Sequence, residues 1–162
     1  MAGKLDYCPD GAYYMSMIDF FNGNYRFLSN FWLSPFVHES VQYISVEHAY
    51  QAWKMLYTVD FLKVITAPTP GEAKKLGRVL TLHSLATDER AKVTAMKTFV
   101  NAKFIQNPDL MRQLLETGEQ ELVEGNNWND TFWGVCQGKG ENRLGHILMA
   151  LRDEYRKIST LT

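Results

Sequence analysis

The chain has 162 residues, 46% of them hydrophobic and 13% aromatic, with 17 Lys and Arg against 18 Asp and Glu for a formal net charge of −1. That length fits one compact domain with a sizeable core and leaves little room for two, and the charge balance argues against binding nucleic acid by electrostatics alone, because neutralising phosphates favours a basic surface. No apolar run approaches the roughly 18 residues of a membrane span, Met1–Asp6 lacks an apolar signal core, and Cys8 and Cys136 make neither a disulfide framework nor a metal-ligand set, so a reducing cytoplasm is the expected compartment.

Residues 1–17 are weakly patterned and read as an extension, with a turn at Cys8-Pro9-Asp10-Gly11. From Ile18 to Tyr43 the chain is aromatic and interrupted by Asn22-Gly23-Asn24 and Ser34-Pro35, and short strands are expected near Tyr25–Leu28 and Val41–Tyr43. Ser45 is the expected N-cap of a helix in which Val46, Ala49, Tyr50, Trp53, Leu56 and Tyr57 recur at helical spacing on one arc. Phe61–Thr66 reads as a short helix. Thr69-Pro70-Gly71-Glu72 combines a cap, a first-position proline and a capping-box Glu, starting a helix that runs to Leu76 or Gly77. Asp88–Gln106 is the longest helix, with Val93, Met96, Phe99, Val100 and Phe104 inward and Lys92 and Lys103 near its edges. Asn107-Pro108 resets the chain, Asp109–Glu116 is a short helix closed by Gly118, and Glu121–Glu124 a short strand. Asn126–Gly140 is a loop rich in Trp, Asn, Asp and Gly. Asn142 is the expected cap of a last helix whose inner stripe is Leu144, Ile147, Leu148, Leu151 and Tyr155. Helices outweigh strands and no strand–helix alternation supports a doubly wound sheet, so the fold class is α+β, predominantly α-helical.

Three places carry candidate chemistry. On the helix after Ser45, Glu47, Gln51 and Lys54 form a polar stripe at the edge of the buried arc, where a cleft would be lined. Glu47 and Lys54 lie about 10 Å apart along the axis, too far for an easy ion pair. Glu47 sits in the first turn, where the helix dipole favours an ionised carboxylate suited to a base, a nucleophile or a stabiliser of positive charge. Periodicity alone favours the plainer reading, a first-turn Glu and a solvated Lys. The second place is Asn126–Gly134, where Trp128, Phe132 and Trp133 alternate with amides and Asp130. These could stack a base and bond its edges, or plug the core while Asx side chains hold a turn. The third is Lys74, Lys75 and Arg78 near the Thr69 cap, a weak phosphate-site signal. His38, His48, His83 and His146 are scattered at no zinc spacing, no GxSxG is present, Gly138-Lys139-Gly140 is not a phosphate loop of the GxxxxGK type, and Cys136 reads as a small buried hydrophobe. No metal or cofactor is expected. Fourteen of the 21 aromatic residues fall between Tyr13 and Phe61, which composition reads as core.

Tyr25-Arg26-Phe27-Leu28-Ser29-Asn30-Phe31, Val46-Glu47-His48-Ala49-Tyr50-Gln51-Ala52-Trp53-Lys54, Pro70–Arg78, Leu122-Val123-Glu124-Gly125-Asn126, Asp130-Thr131-Phe132-Trp133-Gly134 and Asn142-Arg143-Leu144-Gly145 occur in order. Together they resemble the YbiA-like family, also called NADAR domains, over about Phe20 to Arg156. The resemblance implies a single compact YbiA-like domain over residues 18–158 that cleaves N-glycosidic bonds, with phosphoribosylaminopyrimidine intermediates of riboflavin biosynthesis as substrate and ribose 5-phosphate as product. Relatives that remove ADP-ribose from modified guanine supply the alternative, and a non-catalytic nucleotide-binding module of the same fold is a third. The implied partner is a small phosphoribosyl or ADP-ribosyl molecule, with nucleic acid not favoured and no membrane. In such a reaction positive charge develops on the sugar. The resemblance then gives Glu47 the stabilisation of that charge and of the attacking water, and Asp130 a ribose-hydroxyl or second acid–base role. Trp128 and Trp133 would stack on the base and Asn30 bond base or sugar. Arg26, Lys74 and Arg78 would take phosphate. Lys54 admits a covalent route through a Schiff base with the open-chain C1 of ribose. Arg26, Lys54, Lys74 and Arg78 are thus expected to gather around Glu47.

Overall fold

In the computed structural model, which describes residues 16–56, 58–80 and 84–159, the helix-start signals become side-chain caps. The Ser45 hydroxyl accepts the His48 backbone N–H at the start of α1 (Val46–Trp53). Thr69 does the same for Glu72 in α3 (Pro70–Val79), and Asp88 for Ala91 in α4 (Glu89–Gln106). Such caps satisfy backbone donors that a helix leaves without a partner. A short α2 (Phe61–Ile65), α5 (Pro108–Glu116) and α6 (Arg143–Ser159) complete the α-helices, with 3₁₀ turns η1 (Gly23–Leu28) and η2 (Ser84–Thr87). The strands are minimal. β1 (Met17–Ile18) pairs in parallel with β4 (Glu121–Leu122), β2 (Phe36–His38) antiparallel with β3 (Val41–Tyr43), and β5 (Gly125–Asn126) in parallel with β6 (Val135–Cys136). The molecule is predominantly helical with a few short strands. No helix among the described residues is long and apolar enough to cross a membrane. The expected turn at Cys8–Gly11, all of the expected extension except Ser16 and Met17, and Tyr57 on the arc of α1 lie outside the described residues.

The chain divides into two units, one spanning Asn30–Pro108 and the other built from the described residues before and after it. In the first, hairpin β2–β3 turns through Glu39 and Ser40, both at positive φ, as in the hairpin turns whose twist matches the strands. Phe36 and Tyr43 of the hairpin meet Phe99 of α4 with ring centroids 6.5 and 6.0 Å away. The Gln106 side chain accepts the N–H of Val37 and donates to its carbonyl, fastening the hairpin edge to α4. In the second, α6 buries Leu144, Ile147, Leu148 and Leu151 as its stripe predicts.

Several expectations change. Tyr25–Leu28 is not a strand but the 3₁₀ turn η1. Its adjacent pair Phe27 and Leu28 is buried while Tyr25 and Arg26 are exposed, a pattern that the alternating faces of a strand cannot produce. Helix α1 ends at Trp53 and is buried on nearly all sides, so of the expected edge stripe Glu47 and Gln51 are interior residues and Lys54 is half-buried. Helix α3 continues to Val79. Lys103 is fully buried in α4. The expected loop Asn126–Gly140 contains β6 and one of the two residues of β5, Asn126. Asn142, directly before α6, uses its side chain to hold another segment. Its φ is +47°, and its amide turns onto the β4 segment, accepting from Glu124 N–H (3.0 Å) and donating to the Leu122 carbonyl (2.9 Å). That approach requires Gly145, since a Cβ there would lie 2.1 Å from the Leu122 oxygen. Asn142→Ala strips a buried donor and acceptor of their partners and is expected to cost roughly 2–3 kcal/mol of stability. Urea unfolding checks it, and a loss under about 0.5 kcal/mol would contradict this role.

Candidate functional site

The first turn of α1 is braced from below. Glu47 donates its backbone N–H to the Asn30 carbonyl at 3.0 Å. His48, fully buried, sits 2.8 Å from the Ser45 hydroxyl through Nδ1 and 3.0 Å from the Ala67 carbonyl through Nε2. A carbonyl only accepts, so Nε2 carries the hydrogen and Nδ1 accepts from Ser45. Burial lowers the His48 pKa, opposed by the bond to Ala67. The neutral ring is therefore a strut that ties α1 to the segment after α2.

Above this brace the three polar residues of α1 form a relay. Glu47 and Gln51 are each 5% exposed. Gln51 Nε2 donates to Glu47 Oε1 at 2.8 Å, and Lys54 Nζ donates to Gln51 Oε1 and to the Gly77 carbonyl of α3, both at 2.8 Å. The axial separation of Glu47 and Lys54 is thus bridged by one amide. The Lys54 pKa is lowered first by burial. The Glu47 carboxylate raises it, and Lys92, Arg78 and Lys74 lower it further. Three helices therefore direct charge at this amine. Lys92, on α4, carried no assignment in the sequence; its place at the inner edge of that helix was the available signal.

Other expected residues of this unit are placed as follows. Lys74, half-buried, lies 5.3 Å from the centroid of the Phe31 ring, as a cation over an aromatic face. Arg78 and Lys75 are exposed. Asn30 is buried, donates through Nδ2 to the Met96 sulfur at 3.3 Å, and its Oδ1 has no hydrogen-bond partner among the described residues.

Arg26, Trp128, Asp130 and Trp133 belong to the other unit. There Asn126 is the organiser that the sequence did not single out. Its side chain accepts from the N–H groups of Trp128 and Asp130 and donates to the carbonyls of Asp130 and Val135. Asp130 Oδ1 accepts the Trp133 N–H at 2.9 Å. The two Asx side chains thus hold a turn. The rings divide. Trp133 is half-buried and edge-on to Phe132 at 4.8 Å, and the Arg143 guanidinium covers Phe132 at 4.0 Å. Trp128 is 57% exposed. Arg26 is exposed on η1. Among the described residues no group of three His, Cys, Asp or Glu could hold a metal ion.

A family model described as NADAR domain matches residues 19–156. The chain is 38% identical over 144 residues to an N-glycosidase of Nostoc punctiforme, covering 85% of this chain and 90% of that protein. It is 36% identical over 135 residues to a riboflavin biosynthesis protein of Vibrio vulnificus, covering 83% of this chain and 36% of that one. The N-glycosidase YbiA of Escherichia coli is 32% identical over 142 residues, 86% of this chain and 88% of its own. The NMR structure of that YbiA superposes with a TM-score of 0.79, covering 90% of this chain and 88% of the other.

Proposed function

This chain belongs to the NADAR domain family, and from that premise we propose that it hydrolyses the N-glycosidic bond of phosphoribosylaminopyrimidine intermediates of riboflavin biosynthesis, releasing ribose 5-phosphate. Its class is that of its relatives, hydrolases of N-glycosyl compounds. The observation that carries the proposal is the state of Lys54: a half-buried amine bonded to two neutral carbonyl oxygens, with its pKa lowered by burial and by three neighbouring cations. Burial and like charge favour the neutral, nucleophilic amine.

The reaction then runs in two stages. The ribose ring of the N-glycoside opens, leaving C1 double-bonded to the pyrimidine amine. The Lys54 lone pair adds to C1, the C1–nitrogen bond to the pyrimidine breaks with transfer of a proton to the departing amine, and a Schiff base between Lys54 and C1 remains. Water adds to that carbon, the C1–Nζ bond breaks, and open-chain ribose 5-phosphate leaves with Lys54 restored. The Glu47 carboxylate stabilises the positive charge that develops at C1 and accepts a proton from the water. Lys74 and Arg78 are the phosphate cations on this reading, and Asn30 a hydrogen-bonding group for sugar or base. The family motifs extend the proposal to Arg26, Trp128, Asp130 and Trp133 as substrate-binding or acid–base residues.

The test is purified protein given a phosphoribosylaminopyrimidine and, separately, an oligonucleotide with ADP-ribosylated guanine, each with and without borohydride. Expected are ribose 5-phosphate from the first and, on reduction, a pentose-phosphate adduct at Lys54 by mass spectrometry. Release of ADP-ribose alone would move the substrate to the second class. Release from neither, with tight nucleotide binding, would make the chain a binding module.

A further inference from the structure

The geometry around Lys54 points to a positioning residue with no role in the reaction so far: we propose that Gln51, seated on Gly77, aims the lone pair of Lys54 at the substrate carbon. The inference rests on Lys54 as the nucleophile and adds what holds it ready.

A neutral primary amine has two N–H bonds and one lone pair. Lys54 Nζ has two partners among the described residues, Gln51 Oε1 and the Gly77 carbonyl, both at 2.8 Å. Both are acceptors. Together they consume the two N–H bonds and leave the lone pair pointing away from them. The arrangement depends on which way the Gln51 amide faces, and Glu47 decides that. A carboxylate only accepts, so the amide nitrogen must face Glu47 Oε1, 2.8 Å away, and the oxygen must face Lys54. A reversed amide would present N–H groups to the lysine and block its lone pair. Gln51 is held in this place by contact with α3. A Cβ on residue 77 would lie 1.9 Å from Gln51 Oε1 and 2.7 Å from its Cδ. The need for glycine at 77 is therefore space for this amide, and the same residue supplies the second carbonyl. Packing alone would be met by an apolar side chain at 51. A buried amide with both ends engaged fits a role in orientation.

The charged groups that face Lys54 are Glu47 on its own helix, Lys74 and Arg78 on α3, and Lys92 on α4. A carboxylate at position 51 would add an anion in direct contact with the amine and favour the ammonium. The experiment measures kcat, KM and the borohydride-trapped adduct across pH for wild type, Gln51→Leu, Gln51→Glu and Gly77→Ala, each first shown by thermal unfolding to be folded. Gln51→Leu and Gly77→Ala are expected to lower kcat and the trapping rate by about 100-fold, the scale of a misaimed reacting group, with KM little changed. Gln51→Glu is expected to move the acid limb of the kcat profile to higher pH by about 1–3 units, with activity returning on the alkaline side. That shift reports that position 51 faces the amine; a purely structural role would leave kcat and the trapping rate of folded Gln51→Leu at the wild-type level. Wild-type kcat and trapping rate in Gln51→Leu overturn the positioning role while the wild-type adduct keeps Lys54 as nucleophile. Turnover by wild type with no trapped adduct overturns both.

Discussion

Lys54→Ala is expected to lower kcat on the order of 10³- to 10⁴-fold, as removal of a covalent nucleophile does when the rest of a site still binds, and Glu47→Gln on the order of 10²- to 10³-fold, the scale of one lost electrostatic partner. Neither should unfold the protein. In Glu47→Gln the new side chain keeps a carbonyl oxygen for the Gln51 Nε2–H that now bonds Glu47. The two residues act on the same carbon, so the double variant should be little worse than Lys54→Ala alone. The sign of the pH effect follows from the charges. The Glu47 carboxylate raises the Lys54 pKa while burial, Lys92, Arg78 and Lys74 lower it. Removing the carboxylate leaves the cations unopposed, so the acid limb of Glu47→Gln should fall at lower pH than in wild type, opposite to Gln51→Glu. Steady-state kinetics across pH checks this. Equal product release by wild type and Glu47→Gln would refute the assignment of the catalytic carboxylate.

The largest stability effect is expected at Lys103. It is 1% exposed, its ammonium lies 5.0 Å from the Phe104 ring centroid, and burial lowers its pKa to about 7. In the unfolded chain a lysine titrates near 10.4. Between those values the unfolded state binds the proton that the folded state declines, so stability rises with pH across the window and is lost as pH falls through it, levelling off below about 7. The loss between pH 10.4 and 7 is on the order of 4 kcal/mol. Lys103→Met keeps similar volume and removes the titrating group. Urea unfolding should show the stability gap between variant and wild type wider at pH 7 than at pH 9 by about 2 kcal/mol, in favour of the variant. A gap independent of pH would show that Lys103 does not titrate in this window.

Both predictions depend on burial that the sequence reports only in part. The inward positions Met96, Phe99, Val100 and Phe104 of α4 follow from helical period, and the structure buries them. Lys103 beside them looks like an edge residue in the same reading, because a periodic count places a lysine at a face boundary on solvation grounds. What covers that boundary is another part of the chain. The same holds for Glu47 and Gln51. A lone α1 would leave them at its margin, but α3 and α4 pack on the helix and enclose its polar side as well.

Local chemistry was therefore legible, because it acts over a few residues. Ser45 and Thr69 cap the helices expected of them, and Asp88, expected as the first residue of its helix, caps it, since an N-cap oxygen reaches a backbone N–H only three positions ahead. The apolar stripes of α4 and α6 follow for the same reason. The ordered motifs pointed to the family that the chain's relatives share, and Glu47, Lys54, Lys74 and Arg78 all stood among the candidates by residue type. Where the local signal competed with distant partners it misled. Tyr25–Leu28 had strand-like residues yet folds as a 3₁₀ turn, and the Asn142 side chain has partners at Leu122 and Glu124 that no local pattern announces. Only the tertiary structure decided what joins the candidates. Gln51 bridges Glu47 to Lys54, Gly77 leaves room for that amide, and Lys92 arrives from a helix 38 residues further along the chain than Lys54. Those relations depend on how closely α1 and α3 approach, a distance set by the absence of one methyl group at Gly77, and no periodicity within a single helix encodes it.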